Sequence, residues 1–125
     1  MNTEQQRIAI AKACGWTAQE DKDRFWRAVD ASGDMTHELW LCERNVWFAG
    51  TPDYLNDLNA MHEAEMFIRN AQDQMRYASE TLIAMGFDDL VEASDLNVDY
   101  CWHVMGATAA QRAKAFLKTL NLWTP

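Results

Sequence analysis

The stretch TPDYLNDLNAMHEAE, residues 51–65, reads as a helix, yet nine of its fifteen side chains are polar, among them one histidine and four carboxylates. Thr51 stands as an N-cap, and Pro52 follows at the first helical position, where a missing N–H costs nothing. Asp53 falls in the first turn, on the favourable side of the helix dipole. These signals predict a helix running to about Phe67 or Ile68. At the helical repeat Tyr54, Leu58, Met61 and Ile68 share one stripe with Leu55 at its edge, whereas Asn56, Asn59 and Glu63 face away. Glu65 breaks this division. Its position places a carboxylate inside the apolar stripe, which is costly unless the group is paired, protonated or projected into water. His62, three residues earlier, is the neighbour a helix would bring to it.

On the N-terminal side, TEQQRIAIAKACGW carries Thr3 and Gln6 at capping-box spacing and Gly15 as a stop, predicting a helix over residues 3–14. TAQEDKD reads as a polar connection. RFWRAVD and ELWLCERNVWF, separated by the turn-like ASGD, read as strands of a hairpin. On the C-terminal side, AQDQMRYASETLIAMG places Met75, Ala78, Leu82 and Met85 on one stripe and stops at Gly86. FDDLVEASDLN is acidic and irregular. VDYCWHVM, residues 98–105, is apolar on both alternating sets and reads as a central strand covered on each side by helices. TAAQRAKAFLKTLNLW opens on a Thr108–Gln111 capping box, with Ala109, Ala113, Phe116, Leu117 and Leu120 forming its apolar stripe. With no repeat, linker or low-complexity tract in 125 residues, the expectation is one domain spanning 1–125, of α+β class: a helix–sheet–helix sandwich around a small, mostly antiparallel sheet.

Composition narrows the function classes. Eleven basic against nineteen acidic residues give a formal charge of −8, which disfavours direct nucleic-acid binding and docking on anionic lipid, and suits a partner with a basic surface. Six tryptophans call for an aromatic core or an aromatic binding face; Trp26, Trp40, Trp47 and Phe48 are the residues concerned, with Trp40 and Trp47 as partner-binding candidates. Cys14, Cys42 and Cys101 are too widely spaced for a metal site and read as reduced, buried thiols of a cytoplasmic chain. The first apolar run, IAIAKACGW, is too short and interrupted for an export signal or membrane span.

The catalytic constellation that the sequence offers is thin. His62 and Glu65 could form a general acid/base couple with Asp57 as orienter, the pattern of a hydrolase. No nucleophile motif, phosphate-cradling glycine loop or dinucleotide fingerprint accompanies them. HEAE lacks the second histidine of a zinc helix, and His37 and His103 lie far off in sequence, so neither a metal nor a cofactor is expected. His103, in the expected central strand, reads as a hydrogen-bonded core histidine. Tyr54, Asn56, Asn59, His62, Glu63 and Glu65 remain as candidates for ligand or partner contact.

Three blocks, IAKACGW at 10–16, PDYLNDLNAMHEAE at 52–65 and ATAAQRAKAFLKTLNLW at 107–123, together resemble the phage ABA-sandwich domain family, small proteins of tailed phages and prophages. The resemblance implies a helix–sheet–helix sandwich and expression in the bacterial host cytoplasm; it implies no reaction. Asp53, Tyr54, Asn56, Asp57, Asn59, His62, Glu63 and Glu65 match the family's central motif, while the 17–50 region is longer than its usual Trp-containing hairpin. The function expected is a non-enzymatic interaction module acting on a host protein, with anti-defence as its specific form and a homo-oligomer left open. The alternative is a binder that sequesters a nucleotide-like signal, and the remote one is the His62/Glu65 hydrolase.

Overall fold

The computed structural model describes residues 1–87 and 106–125. The elements are α1 (Thr3–Ala13), β1 (Thr17–Glu20), β2 (Trp26–Val29), the single turn α2 (Glu43–Asn45) continued by a π-helical turn (Val46–Gly50), α3 (Leu58–Glu65), α4 (Ala71–Ala84) and α5 (Ala109–Thr119). The class is α+β with a small antiparallel sheet. The expected central strand, 98–105, lies outside the described residues, as does all of FDDLVEASDLN except Phe87.

Local chemistry explains where the helices begin and end. α1 is capped one residue earlier than the sequence suggests: Asn2 accepts from the Gln5 N–H, and the Gln5 side chain returns the bond to the Asn2 N–H, so the capping box is Asn2–Gln5, not Thr3–Gln6. α5 keeps the expected Thr108–Gln111 box. α1, α4 and α5 all end in the same left-handed turn, with Gly15 (φ 88), Gly86 (φ 88) and Asn121 (φ 59) supplying the positive φ. At α1 the Gly15 N–H bonds the Lys12 carbonyl, and the Trp16 N–H reaches back to Ala11, each at 3.0 Å.

The 51–65 stretch does not form one helix. Thr51 is extended and spends its hydroxyl on the Trp47 carbonyl at 2.7 Å, while Asp57 caps α3 by accepting from the Asn59 and Ala60 N–H groups. The helix therefore starts at Leu58, and its buried face is Ala60, Met61 and Ala64, continued by Ile68; Leu58 is exposed. On α4 the stripe is rotated likewise, with Tyr77, Thr81 and Leu82 buried and Met75 exposed.

The hairpin also differs from expectation. TAQE, read as a connection, is strand β1, paired antiparallel with β2 from Thr17↔Val29 to Glu20↔Trp26. The turn between them is set by Asp21, whose carboxylate accepts from the Asp23 and Phe25 N–H groups. ELWLCERNVWF is not a strand: only Trp40 bridges back to Trp26, and the chain then turns helical. The reason is side-chain spacing. Glu43 accepts from the Trp47 indole one turn later, Arg44 forks onto the Glu4 carboxylate of α1, and Val46 and Trp47 turn inward. ASGD is the turn the sequence implies, with Asp30 accepting from the Ser32 and Asp34 N–H groups.

α5 is the centre of the core, packed against α4, α1 and α3. Its fully buried Ala113, Phe116 and Leu117 cluster with Ile10 and Ala11 of α1, Met61 of α3 and the buried Tyr77 of α4. Trp47 brings the π turn into the same cluster. The sheet joins at the side, with the π turn against β2: a Cβ on Gly50 would meet the Trp40 ring at 2.9 Å and Ala28 at 3.2 Å. Gly15 is still tighter, since a Cβ there would stand 2.7 Å from the Ala31 Cβ. Gly15→Ala therefore combines a positive φ with a clash, and chemical denaturation should show a loss of about 1–3 kcal/mol.

Candidate functional site

Glu65, the last residue of α3, is the meeting point of the polar groups in the core. The Tyr77 hydroxyl of α4 donates to its Oε1 at 2.6 Å, and Arg112 Nη1 of α5 donates to the same oxygen at 3.0 Å. The second oxygen faces His62 Nδ1 at 3.4 Å. Arg112 is 5 % exposed and directs its Nε to the Ala107 carbonyl, so the guanidinium also holds the chain entering α5. Glu65 itself retains 21 % side-chain exposure, so it is only partly buried. The feature that looked out of place in the sequence is thus paired, but its main partners are Tyr77 and Arg112 rather than His62.

The arrangement is an anchor across α3, α4 and α5. Its members come from helices whose apolar faces meet, so the opposite charges are driven together by the burial of the surfaces that carry them. Burial pushes the Tyr77 hydroxyl well above its ordinary value, and its hydrogen bond to Glu65 adds to that shift. His62 is half exposed and makes a long contact, and Asp57 has its carboxylate committed to the α3 N-terminus, so it does not orient the imidazole. Both Glu65 oxygens already have protein partners.

The other sequence candidates are dispersed. Tyr54 is buried beside Cys14 and Trp16; burial pushes its hydroxyl up and lifts the Cys14 thiol to about 11. Asn56 is exposed and donates to Asp53, and Asn59 and Glu63 are exposed. Trp47 is core, with the Lys12 ammonium 5.3 Å from its ring centroid, and Trp40 is half-buried. Cys42, expected in the core, is exposed, and Cys14 is buried. Cys101 and His103 lie outside the described residues. Among the described residues no group of three or more His, Cys, Asp or Glu could hold a metal ion, and no helix is long and apolar enough to cross a membrane. The chain matches no family model, no curated protein and no solved structure.

Tyr77 and Arg112 are not legible as partners of Glu65 from the sequence pattern taken helix by helix, but Arg112 carries a signal. Arg112 stands between Ala109 and Phe116 within the α5 apolar stripe, as Glu65 stands within that of α3. Two opposite charges on two buried stripes are each other's natural partners.

Removing either member breaks the bond between them. Glu65→Gln and Arg112→Met should each cost about 2–4 kcal/mol in urea unfolding, the lower end reflecting the exposure of Glu65. The double variant should lose about 1–3 kcal/mol less than the sum. A second expectation concerns alkaline pH. Because Tyr77 is raised in the folded state, its contribution is complete below the unfolded value of about 10 and is lost as pH climbs through the folded value. The melting temperature should fall above about pH 10, and less steeply in Tyr77→Phe.

Proposed function

We propose that the protein is a non-enzymatic interaction module whose partner face lies on the 25–48 stretch. The observation that carries this reading is the exposure there of large apolar side chains: Leu41 (80 %), Phe48 (59 %), Met35, Leu39 and Phe25. The Trp26–Trp40 bridge sets Phe25 alongside Leu41, and the π turn bearing Phe48 packs on the same strand, β2. Exposed apolar side chains gathered in one region mark contact surfaces, and an overall charge of −8 favours a partner with a basic rim. The resemblance to phage ABA-sandwich proteins extends the proposal: the partner is a bacterial host protein, and the module's role is anti-defence.

A second reading, a small-ligand site, is favoured by one hollow of about 240 Å³ lined by Asn56, Arg7, Phe48, Glu4, Asp53, Leu55 and Thr3. Its guanidinium is already engaged, over Phe48 and with the Thr51 carbonyl, and two carboxylates line it. It suits a neutral or cationic ligand.

Leu41→Glu and Phe48→Ser should abolish saturable capture of a host protein by the immobilised chain while leaving its circular dichroism unchanged. Capture that survives both substitutions, or no saturable partner for the wild type, would overturn the reading.

A further inference from the structure

At the end of α5 the chain is turned back by Asn121, whose N–H bonds the Lys118 carbonyl while the Leu122 N–H reaches Leu117 at 2.7 Å. The return lays Trp123 against the core and makes its indole one wall of a cleft of about 340 Å³. The other walls are Arg76 and Glu80 of α4 with Lys118 and Asn121. Arg76 is fixed by donating to the Asn121 side-chain oxygen at 3.1 Å, and the Lys114 ammonium stands 5.3 Å from the Trp123 ring centroid.

Three of the chain's eleven basic side chains therefore gather around one indole. Among the described residues the ion pairs are Arg44–Glu4, His62–Glu65 and Arg112–Glu65, so none of these three cations is neutralised by a carboxylate at pairing distance, Glu80 included. A single lysine in the last turn is what the helix C-terminus favours by itself. Three cations from two helices, set about an aromatic ring that lines a cleft, describe a receptor for a flat anion.

We propose that this cleft binds a small aromatic anion of the nucleoside monophosphate type, its base stacked on Trp123 and its phosphate held by Arg76 and Lys118. Arg76 offers the planar fork that matches phosphate oxygens, and Lys118 adds a mobile point charge. Glu80 and the Asn121 amide supply acceptors and donors for sugar hydroxyls and base edges. The acidity of the whole chain does not oppose this: screening acts over about 8 Å at physiological ionic strength, so the cations lining the cleft govern the field a ligand meets there.

The test is titration of the wild-type chain with adenosine monophosphate, adenosine and inorganic phosphate, read on the indole N–H resonances, with the Trp123 signal assigned through Trp123→Phe. The Trp123 resonance should move saturably with the monophosphate, and adenosine or phosphate alone should bind at least tenfold more weakly. Lys118→Glu and Arg76→Glu should each weaken the monophosphate at least tenfold with unchanged circular dichroism, and Lys114→Gln should weaken it by a smaller factor. No movement of Trp123 at about 1 mM monophosphate, affinity no better than for phosphate alone, or affinity unchanged by charge reversal would each overturn the assignment.

Discussion

The carboxylate of Glu65 is the constraint on which the helical half of the molecule depends. One of its oxygens receives both the Tyr77 hydroxyl and the Arg112 guanidinium, so a single atom fixes the relative placement of α3, α4 and α5. Apolar burial brings those helices together but is tolerant of sliding and rotation, because one methyl group substitutes for another along a stripe. A buried ion pair is not. Displacing α5 by a turn would break the bond between Arg112, 5 % exposed, and the Glu65 carboxylate. The anchor thus adds register to a core whose cohesion comes from Phe116, Leu117, Met61 and Ile10.

How far the sequence revealed this depends on which kind of signal each element carries. The start of α5 is legible to the residue, because Thr108 and Gln111 cap it reciprocally and its apolar residues recur at the helical period, whereas its end at Thr119 carries no comparable signal. The end of α1 was legible for the same kind of reason, since Gly15 has a conformational role no other residue fills there as cheaply. The start of α3 was not. Thr51–Pro52–Asp53 has the composition of a helix start, but Thr51 is consumed by the preceding π turn and Asp57 provides an equally good cap six residues later. Two competent caps in one stretch cannot be ranked without knowing what packs against them.

In the 17–50 region RFWRAVD contains β2 and ASGD is a turn, as expected, but the two flanking segments differ for a related reason. TAQE has little strand propensity of its own, and becomes β1 because Asp21 organises the turn that folds it onto β2. ELWLCERNVWF has high strand propensity, and turns helical because Glu43–Trp47 and Arg44–Glu4 reward that geometry. In both cases a side-chain contact outweighed intrinsic preference. The candidate site shows the same division. That Glu65 required a partner was evident from its place in the stripe; that the partner was Arg112 required seeing two stripes, 47 residues apart, as faces of one interface.

That separation has a consequence for the order in which the fold assembles. The Tyr77 bond to Glu65 spans 12 residues, whereas the Arg112 bond spans 47. Closing a longer loop has a larger entropic cost, so the Tyr77–Glu65 contact is the cheaper of the two to form. On a growing chain, Glu65 and Tyr77 leave the ribosome well ahead of Arg112. Until that arginine emerges, the anchor is incomplete, and the apolar faces of α3 and α4 that α5 covers in the folded chain stay in water.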